Sequence, residues 1–356
     1  MKKTEKSIFS PLKLSHMELK NRLIRSATWE GIASIDGSID DRIYEIYTEL
    51  SKGGIGGIIT GFTSVSSSDV YFDGMMRLSD DKLIPQYKKL TDIVHEEKIP
   101  ILSQIALGAY YKNSFEVEID DMNEIDVKNV INLFINAAER AKKANFDGVQ
   151  IHCAHFFFLS RFISPLVNHR NDIYGGSLDN RIRILIEIIK GIKEKNLNLH
   201  ISIKINSSDF QKGGIDENEC IEICKKLEKE GIDSIEISGN GTSRSRIKPH
   251  INEAYFRECA EKVAANVNVP VAIVGGIRSK QVIEDILNNI KIEIISLSRP
   301  LINEPDFPKK LQAGILKKIN VFHVMDVIEA NVIDVFLGKN NFIFKLNLFN
   351  FLLSIL

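Results

Sequence analysis

PVAIVGG (Pro270–Gly276) and EIISLSR (Glu293–Arg299), with the amphipathic KQVIEDILNN (Lys280–Asn289) between them, decide the fold. Both outer segments are short, rich in Ile and Val, and lack clean alternation, as expected of strands buried on both faces of a parallel sheet. The same order recurs along the chain. Further candidate strands are Arg22–Thr28, Ile55–Thr63, Pro100–Ala106, Phe146–His152, His200–Asn206 and Asp233–Gly239. Helical patterns follow at Arg42–Lys52, Pro85–Glu97, Val127–Ala144, Asn180–Lys195, Glu217–Glu230, Glu253–Ala265 and Asp306–Gly314. Strand-then-helix repeated eight times predicts an α/β fold, a closed (β/α)8 TIM barrel, more than an open doubly wound sheet. No linker rich in Pro, Gly or Ser divides the chain. One domain is therefore expected over residues 1–316, with an atypical tail at 317–356.

A net charge of -1 gives no basic surplus for nucleic acid and no acidic surplus for disorder. Cys153, Cys220, Cys224 and Cys259 show neither zinc nor disulfide spacing and fit a reducing cytoplasm. Cys220 and Cys224, four apart in a helical pattern, read as small core residues. Met1–Ser10 has no apolar leader core, and the apolar run Phe342–Leu356 is short and broken by Lys345. The expectation is a cytoplasmic protein with a small-molecule substrate and neither membrane nor nucleic-acid partner. A homo-oligomer is compatible with it.

Chemistry in such barrels sits at the C-terminal ends of the strands. Those ends read Ser26-Ala27-Thr28, Gly61, Gln104, His152, Lys204, Ser238-Gly239, Gly275-Gly276 and Ser298-Arg299. Polar groups ending apolar strands suit a pocket better than a core. Gly275-Gly276 and Ser298-Arg299 fall on the adjacent seventh and eighth strands. Glycine admits a phosphate to the backbone, and arginine can clamp it with two N–H bonds. A glycine turn with a surface arginine is the plainer alternative, and their joint occurrence favours phosphate. Lys204 ends the fifth strand, facing inward, and needs an anionic partner, which a reduced flavin supplies. Gln104 can both donate and accept, matching a flavin's mixed carbonyl and N–H edge. His152 and His155 fit three roles: zinc ligands without a third partner, structural residues, or donors to a substrate carbonyl. The strand-end position favours the donors.

Several segments resemble the Old Yellow Enzyme family of NAD(P)H:flavin oxidoreductases. They are Ile8–Lys13, Leu19–Arg22, Phe146–His152, the highly specific Ser164–Arg181, Val274–Ile277 and Ser298–Ile302, together spanning about residues 8 to 316. The resemblance implies bound FMN and NADH or NADPH as reductant. Ser26, Ala27 and Thr28 are then expected beside the isoalloxazine, Gln104 and Lys204 at the pyrimidine, and Gly275, Gly276, Ser298 and Arg299 at the phosphate. Lys204 stands where the family usually has arginine, which keeps the charge and loses the planar fork. Phe156 and Phe157 stand where the family usually has Gly-Tyr, so its usual proton donor is absent. Leu107-Gly108-Ala109-Tyr110 replaces a His-Ala-Gly-Arg continuation, and Trp29 replaces a cysteine or threonine.

The resemblance thus implies an FMN-dependent oxidoreductase passing hydride from flavin N5 to an activated alkene. His152 and His155 would hold the acceptor, and solvent, Tyr110 or Tyr111 would supply the proton. An amine or C–H oxidising flavin dehydrogenase of the same superfamily and a flavin-binding pseudoenzyme stand as alternatives. Resemblance stops near Lys318, where related members often carry a Cys-x-x-Cys-Asn-x-Cys segment. Here Val321, Val324, Val327, Val332 and Val335 each follow Asn, His or Asp. Such pairs can conceal cysteine codons, and one shifted reading of Asn320–Val327 is Cys-Phe-Ser-Cys-Asn-Gly-Cys. A frameshifted tail that lost an iron–sulfur motif is therefore expected, against a divergent tail with chance valine spacing. Resequencing the codons for Gly314–Val335 decides between them.

Overall fold

The computed structural model describes residues 6–239, 248 and 250–316. The tail at 317–356, with the frameshift expected there, lies outside the described residues. Eight parallel strands close into a barrel, numbered here among themselves. They are β1 (Leu23–Arg25), β2 (Gly57–Ile59), β3 (Ile101–Ala106), β4 (Gly148–Cys153), β5 (His200–Asn206), β6 (Ser234–Ser238), β7 (Val271–Ile273) and β8 (Ile294–Leu297). Each pairs with the next, and β8 closes on β1 with Ile295 opposite Leu23. The main intervening helices are α1 (Asp41–Lys52), α2 (Ile84–Glu96), α3 (Glu124–Lys143), α4 (Arg183–Glu194), α5 (Glu217–Lys229), α6 (Arg257–Asn266), α7 (Lys280–Asn289) and α8 (Phe307–Gln312).

Local chemistry accounts for the shifted boundaries. Helix α3 begins three residues before the predicted Val127, because Asn123 and Asp126 form a reciprocal capping box. The predicted helix from Glu253 begins only at Arg257. Glu253 is instead a loop anchor, its carboxylate accepting from the backbone N–H groups of His250, Arg278 and Ser279. The predicted helix at Asn180–Lys195 is two, Leu178–Arg181 and α4.

The expected lack of alternation is corrected in β4, β5 and β6. Every residue of these strands is buried, yet their two faces differ chemically. Val149, Ile151, Ile203, Ile205, Ile235 and Ile237 join the large apolar core that includes the helices' buried faces. Gln150, His152, Lys204 and Glu236 alternate with them, and Gln150 and Lys204 both meet Glu236 in the barrel interior. A closed sheet has two separate buried spaces, so apolar residues face outward to the helices and polar ones inward. The barrel floor stays apolar: Ile24, Ile59, Leu102, Ala272 and Ile294 pack with Leu14 and Leu19. Leu19 belongs to a short antiparallel ribbon, Leu12–Lys13 with Glu18–Leu19. All four cysteines are buried and free. Among the described residues no helix is long and apolar enough to cross a membrane.

Candidate active site

Polar side chains gather toward the C-terminal ends of the strands. Gln104 and Lys204, named at their strand ends, stand two residues inside them, since β3 ends at Ala106 and β5 at Asn206 as the sequence led one to expect. Gln104 donates to Gln150 Oε1 (2.7 Å), and Gln150 donates to Glu236 Oε2 (2.8 Å). Ser26 donates to Glu236 Oε1 (2.7 Å), and Lys204 Nζ donates to Ser26 Oγ (2.8 Å) while lying 3.4 Å from Glu236 Oε1. The protein itself therefore supplies an anionic partner for Lys204. The sequence reading assigned that role to a flavin and passed over Glu236 and Gln150. Thr28 Oγ1 lies 2.7 Å from Ser298 Oγ, and Arg25 donates to Thr28 and to the Ser298 carbonyl, tying the loops after β1 and β8 together. Ala27 packs on the barrel-floor cluster.

Gly275 and Gly276 follow β7 in left-handed conformations, φ 130° and 70°. A side chain at Gly275 would press on the rings of Tyr255 and Phe256, at 3.0 and 3.1 Å. Arg299 opens the short helix Arg299–Asn303. Arg278, also missed in the sequence, joins it. Arg278 is only 6% exposed, and burial and the neighbouring Arg299 charge lower its pKa, with Glu253 opposing. Two guanidinium groups that repel each other form a site that an anion would relieve. Their proximity, the glycine backbone and the Lys204–Gln104 group fit a planar, phosphate-bearing cofactor.

His152 lies opposite Lys204 in the β4–β5 register, its ring 5.2 Å from that of His155. Burial, the neighbouring His155 and the Lys204 charge hold His152 well below the usual imidazole range. Burial first, then Lys204, pushes His155 down from 6.5 to about 3. Both are therefore neutral N–H donors at pH 7. His155 Nε2 lies 2.8 Å from Ser238 Oγ, and His152 Nδ1 has no partner. No group of three His, Cys, Asp or Glu side chains placed to hold a metal occurs among the described residues.

The depressed His155 pKa has a sign in stability. The unfolded chain takes up a proton as pH falls below 6.5, which the folded imidazole refuses until about 3, so this group costs stability across that window. Glu30 acts oppositely. Burial pushes its carboxyl from 4.5 up to about 7 against the pull of Arg25 and Tyr47, so the folded state gains as pH falls from 7 to 4.5. The two overlap, so the difference between variants isolates the histidine. The urea midpoint of His155→Gln is expected to gain steadily on wild type from pH 7 to pH 4, and a pH-independent difference would contradict the assignment.

His155 and Phe156 both adopt left-handed backbone, φ 61° and 59°. Phe156 stands where the resembling family has glycine, which takes this conformation freely. Phe156→Gly is expected to stabilise the fold by about 1 kcal/mol, read as a raised urea midpoint. An unchanged or lowered midpoint would show that the strain is absent.

Phe157 lies tilted against the His152 ring, 4.4 Å between centroids, and completes an aromatic cluster with Phe62 (4.9 Å) and Phe72 (5.6 Å). Trp29 lies 6.1 Å from Phe62 and 5.8 Å from Phe72. The sequence assigned none of this grouping. Tyr110, one expected proton source, gives its hydroxyl to Asp126 Oδ1 (3.3 Å) at the start of α3. Tyr111 lies in a separate two-stranded ribbon, Tyr111–Lys112 with Phe115–Glu116. Tyr71, which the sequence reading did not name, instead brings its ring to within 6.1 Å of Phe157.

The sequence profile of the NADH:flavin oxidoreductase / NADH oxidase family matches residues 7–121 and 108–318. A metal reductase of Desulforamulus reducens is 27% identical over 328 residues, covering 86% of this chain and 49% of its own length. An NADPH dehydrogenase of Clostridium acetobutylicum is 30% identical over 336 residues, covering 88% of this chain and 96% of its own length. A solved 2-naphthoyl-CoA reductase in complex with 2-naphthoyl-CoA superimposes with a TM-score of 0.79 at 25% identity, over 86% of this chain and 52% of that one. The chain thus spans about half the length of the first and third of these proteins, and nearly all of the second.

Proposed function

The chain belongs to the NADH:flavin oxidoreductase / NADH oxidase family, and on that premise we propose that it is an FMN-dependent enzyme carrying reducing equivalents from NADH or NADPH to a carbonyl-activated alkene. FMN, when bound, supplies the hydride chemistry that no side chain of this site has. Gly275, Gly276, Ser298, Arg278 and Arg299 hold its phosphate. Ser26, Ala27 and Thr28 lie beside its ring, with Gln104 and Lys204 at the pyrimidine edge. The observation that carries the reading is the neutral His152–His155 pair beside Lys204. Two N–H donors held in an enclosed site polarise an acceptor carbonyl without giving up a proton. Phe157, buried against His152, has no proton to give, so solvent or Tyr71 protonates the product.

The test follows flavin absorbance anaerobically in FMN-loaded protein. NADH or NADPH is expected to bleach the flavin promptly, and 2-cyclohexenone to restore it slowly, since a placed general acid is typically worth about 10²–10⁴-fold. Failure to take up FMN, or bleached flavin that no enone restores, would overturn the reading. The rings of Trp29, Phe62, Phe72 and Phe157 favour a second reading, an amine-oxidising dehydrogenase, because cations bind against aromatic faces. On that reading an alkylamine, cationic at pH 7 and bearing a C–H bond next to nitrogen, gives up that hydride and bleaches the flavin without any nicotinamide.

A further inference from the structure

We propose that Glu236 is a positioning residue that sets the redox poise of the flavin by holding and partly cancelling the charge of Lys204. The proposal rests on the FMN reading above. Glu236 and Lys204 are direct cross-strand partners on β6 and β5, 1% and 3% exposed. The carboxylate cannot swing away, because Ser26 and Gln150 each donate to one of its oxygens, at 2.7 and 2.8 Å, and Gln104 holds Gln150 in turn. Lys204 Nζ has three protons. Ser26 takes one at 2.8 Å and Glu236 lies in reach of another at 3.4 Å, leaving one for the pyrimidine edge.

Two consequences follow from this geometry. Held by Ser26 and Glu236, the Lys204 ammonium stays aimed at the pyrimidine edge while the flavin is oxidised and carries no charge. When the flavin is reduced, negative charge collects at its pyrimidine end. A lone buried cation there would favour the reduced state strongly, since little solvent screens it. The carboxylate offsets that attraction, so the reduced flavin stays ready to pass its electrons on. Glu236 touches neither acceptor nor nicotinamide in this scheme and acts by its own buried charge, which opposes that of Lys204, as well as by its hold on Lys204.

The experiment is a spectroelectrochemical titration of the FMN-loaded protein. Glu236→Gln is expected to tilt flavin binding at least tenfold toward the reduced form, which raises the midpoint potential by about 30 mV for a two-electron couple. Glu236→Asp, which keeps the charge, is expected to remain near wild type, and Lys204→Met to lower the potential. If Glu236→Gln alone fails to fold, the charge-free pair Lys204→Met/Glu236→Gln is compared with Lys204→Met, and the same upward tilt is expected. Equal potentials in either comparison, with full flavin occupancy, would overturn the role of Glu236 and leave FMN binding intact. A wild-type protein that takes up no FMN would instead overturn the cofactor reading.

Discussion

Protein carrying Arg278→Ala together with Arg299→Ala is expected to emerge folded and without FMN. Each charge-assisted hydrogen bond to a phosphate is worth about 1.5–3 kcal/mol. Losing one from each arginine weakens FMN by roughly 10²–10⁴-fold. The fold should tolerate the change. Without an anion between them the two like charges repel, and burial first, then the Arg299 charge, lowers the pKa of Arg278. Removing both charges is therefore expected to leave the melting temperature of the flavin-free protein at or above that of flavin-free wild type. Arg299→Ala alone should fall between. The measurement is quenching of FMN fluorescence on titration with protein. A loss below tenfold in the double variant would place the phosphate elsewhere.

Replacing both His152 and His155 with alanine is expected to separate the two half-reactions. Acceptor reduction should slow by about 10²–10³-fold, the usual effect of removing a preorganised donor to a developing oxyanion. Phenols, which present an enolate-like oxygen, should lose their binding. Flavin retention should change little, because the phosphate, Gln104 and Lys204 contacts are untouched. His152 carries more of this expectation than His155. Its Nδ1 is buried without a partner, whereas His155 Nε2 already lies 2.8 Å from Ser238 Oγ. Stopped-flow reoxidation of the bleached flavin by 2-cyclohexenone measures the effect. Undiminished phenol binding, with stoichiometric zinc in the purified protein, would assign the pair to a metal instead.

Much of the architecture was legible in the chain. β5 at His200–Asn206 and α7 at Lys280–Asn289 match the sequence reading residue for residue. Apolar runs and 3.6-residue periodicity are local signals, set by which neighbours a backbone brings to one face. The strand-then-helix order carried the barrel, and the barrel carried the position of the site. Gly275, Gly276, His152 and Lys204 could be named because each interrupts an apolar run.

The sequence by itself thus determined the order of elements and which polar residues stand near the strand ends. Only the tertiary structure decided what those residues meet. Ser26 and Glu236 are 210 positions apart in the chain and 2.7 Å apart in space. Glu236, between two isoleucines, gives no local sign that its partner is Lys204 on the neighbouring strand. Arg278 and Arg299 likewise come together only because β7 and β8 are adjacent. Trp29, Phe62, Phe72 and Phe157 come from three separate loops and form one cluster with no shared periodicity. The physical reason is closure: joining β8 to β1 turns one pleated face into an interior where residues far apart in sequence must satisfy one another's charge and hydrogen bonds, and no local pattern encodes those pairings.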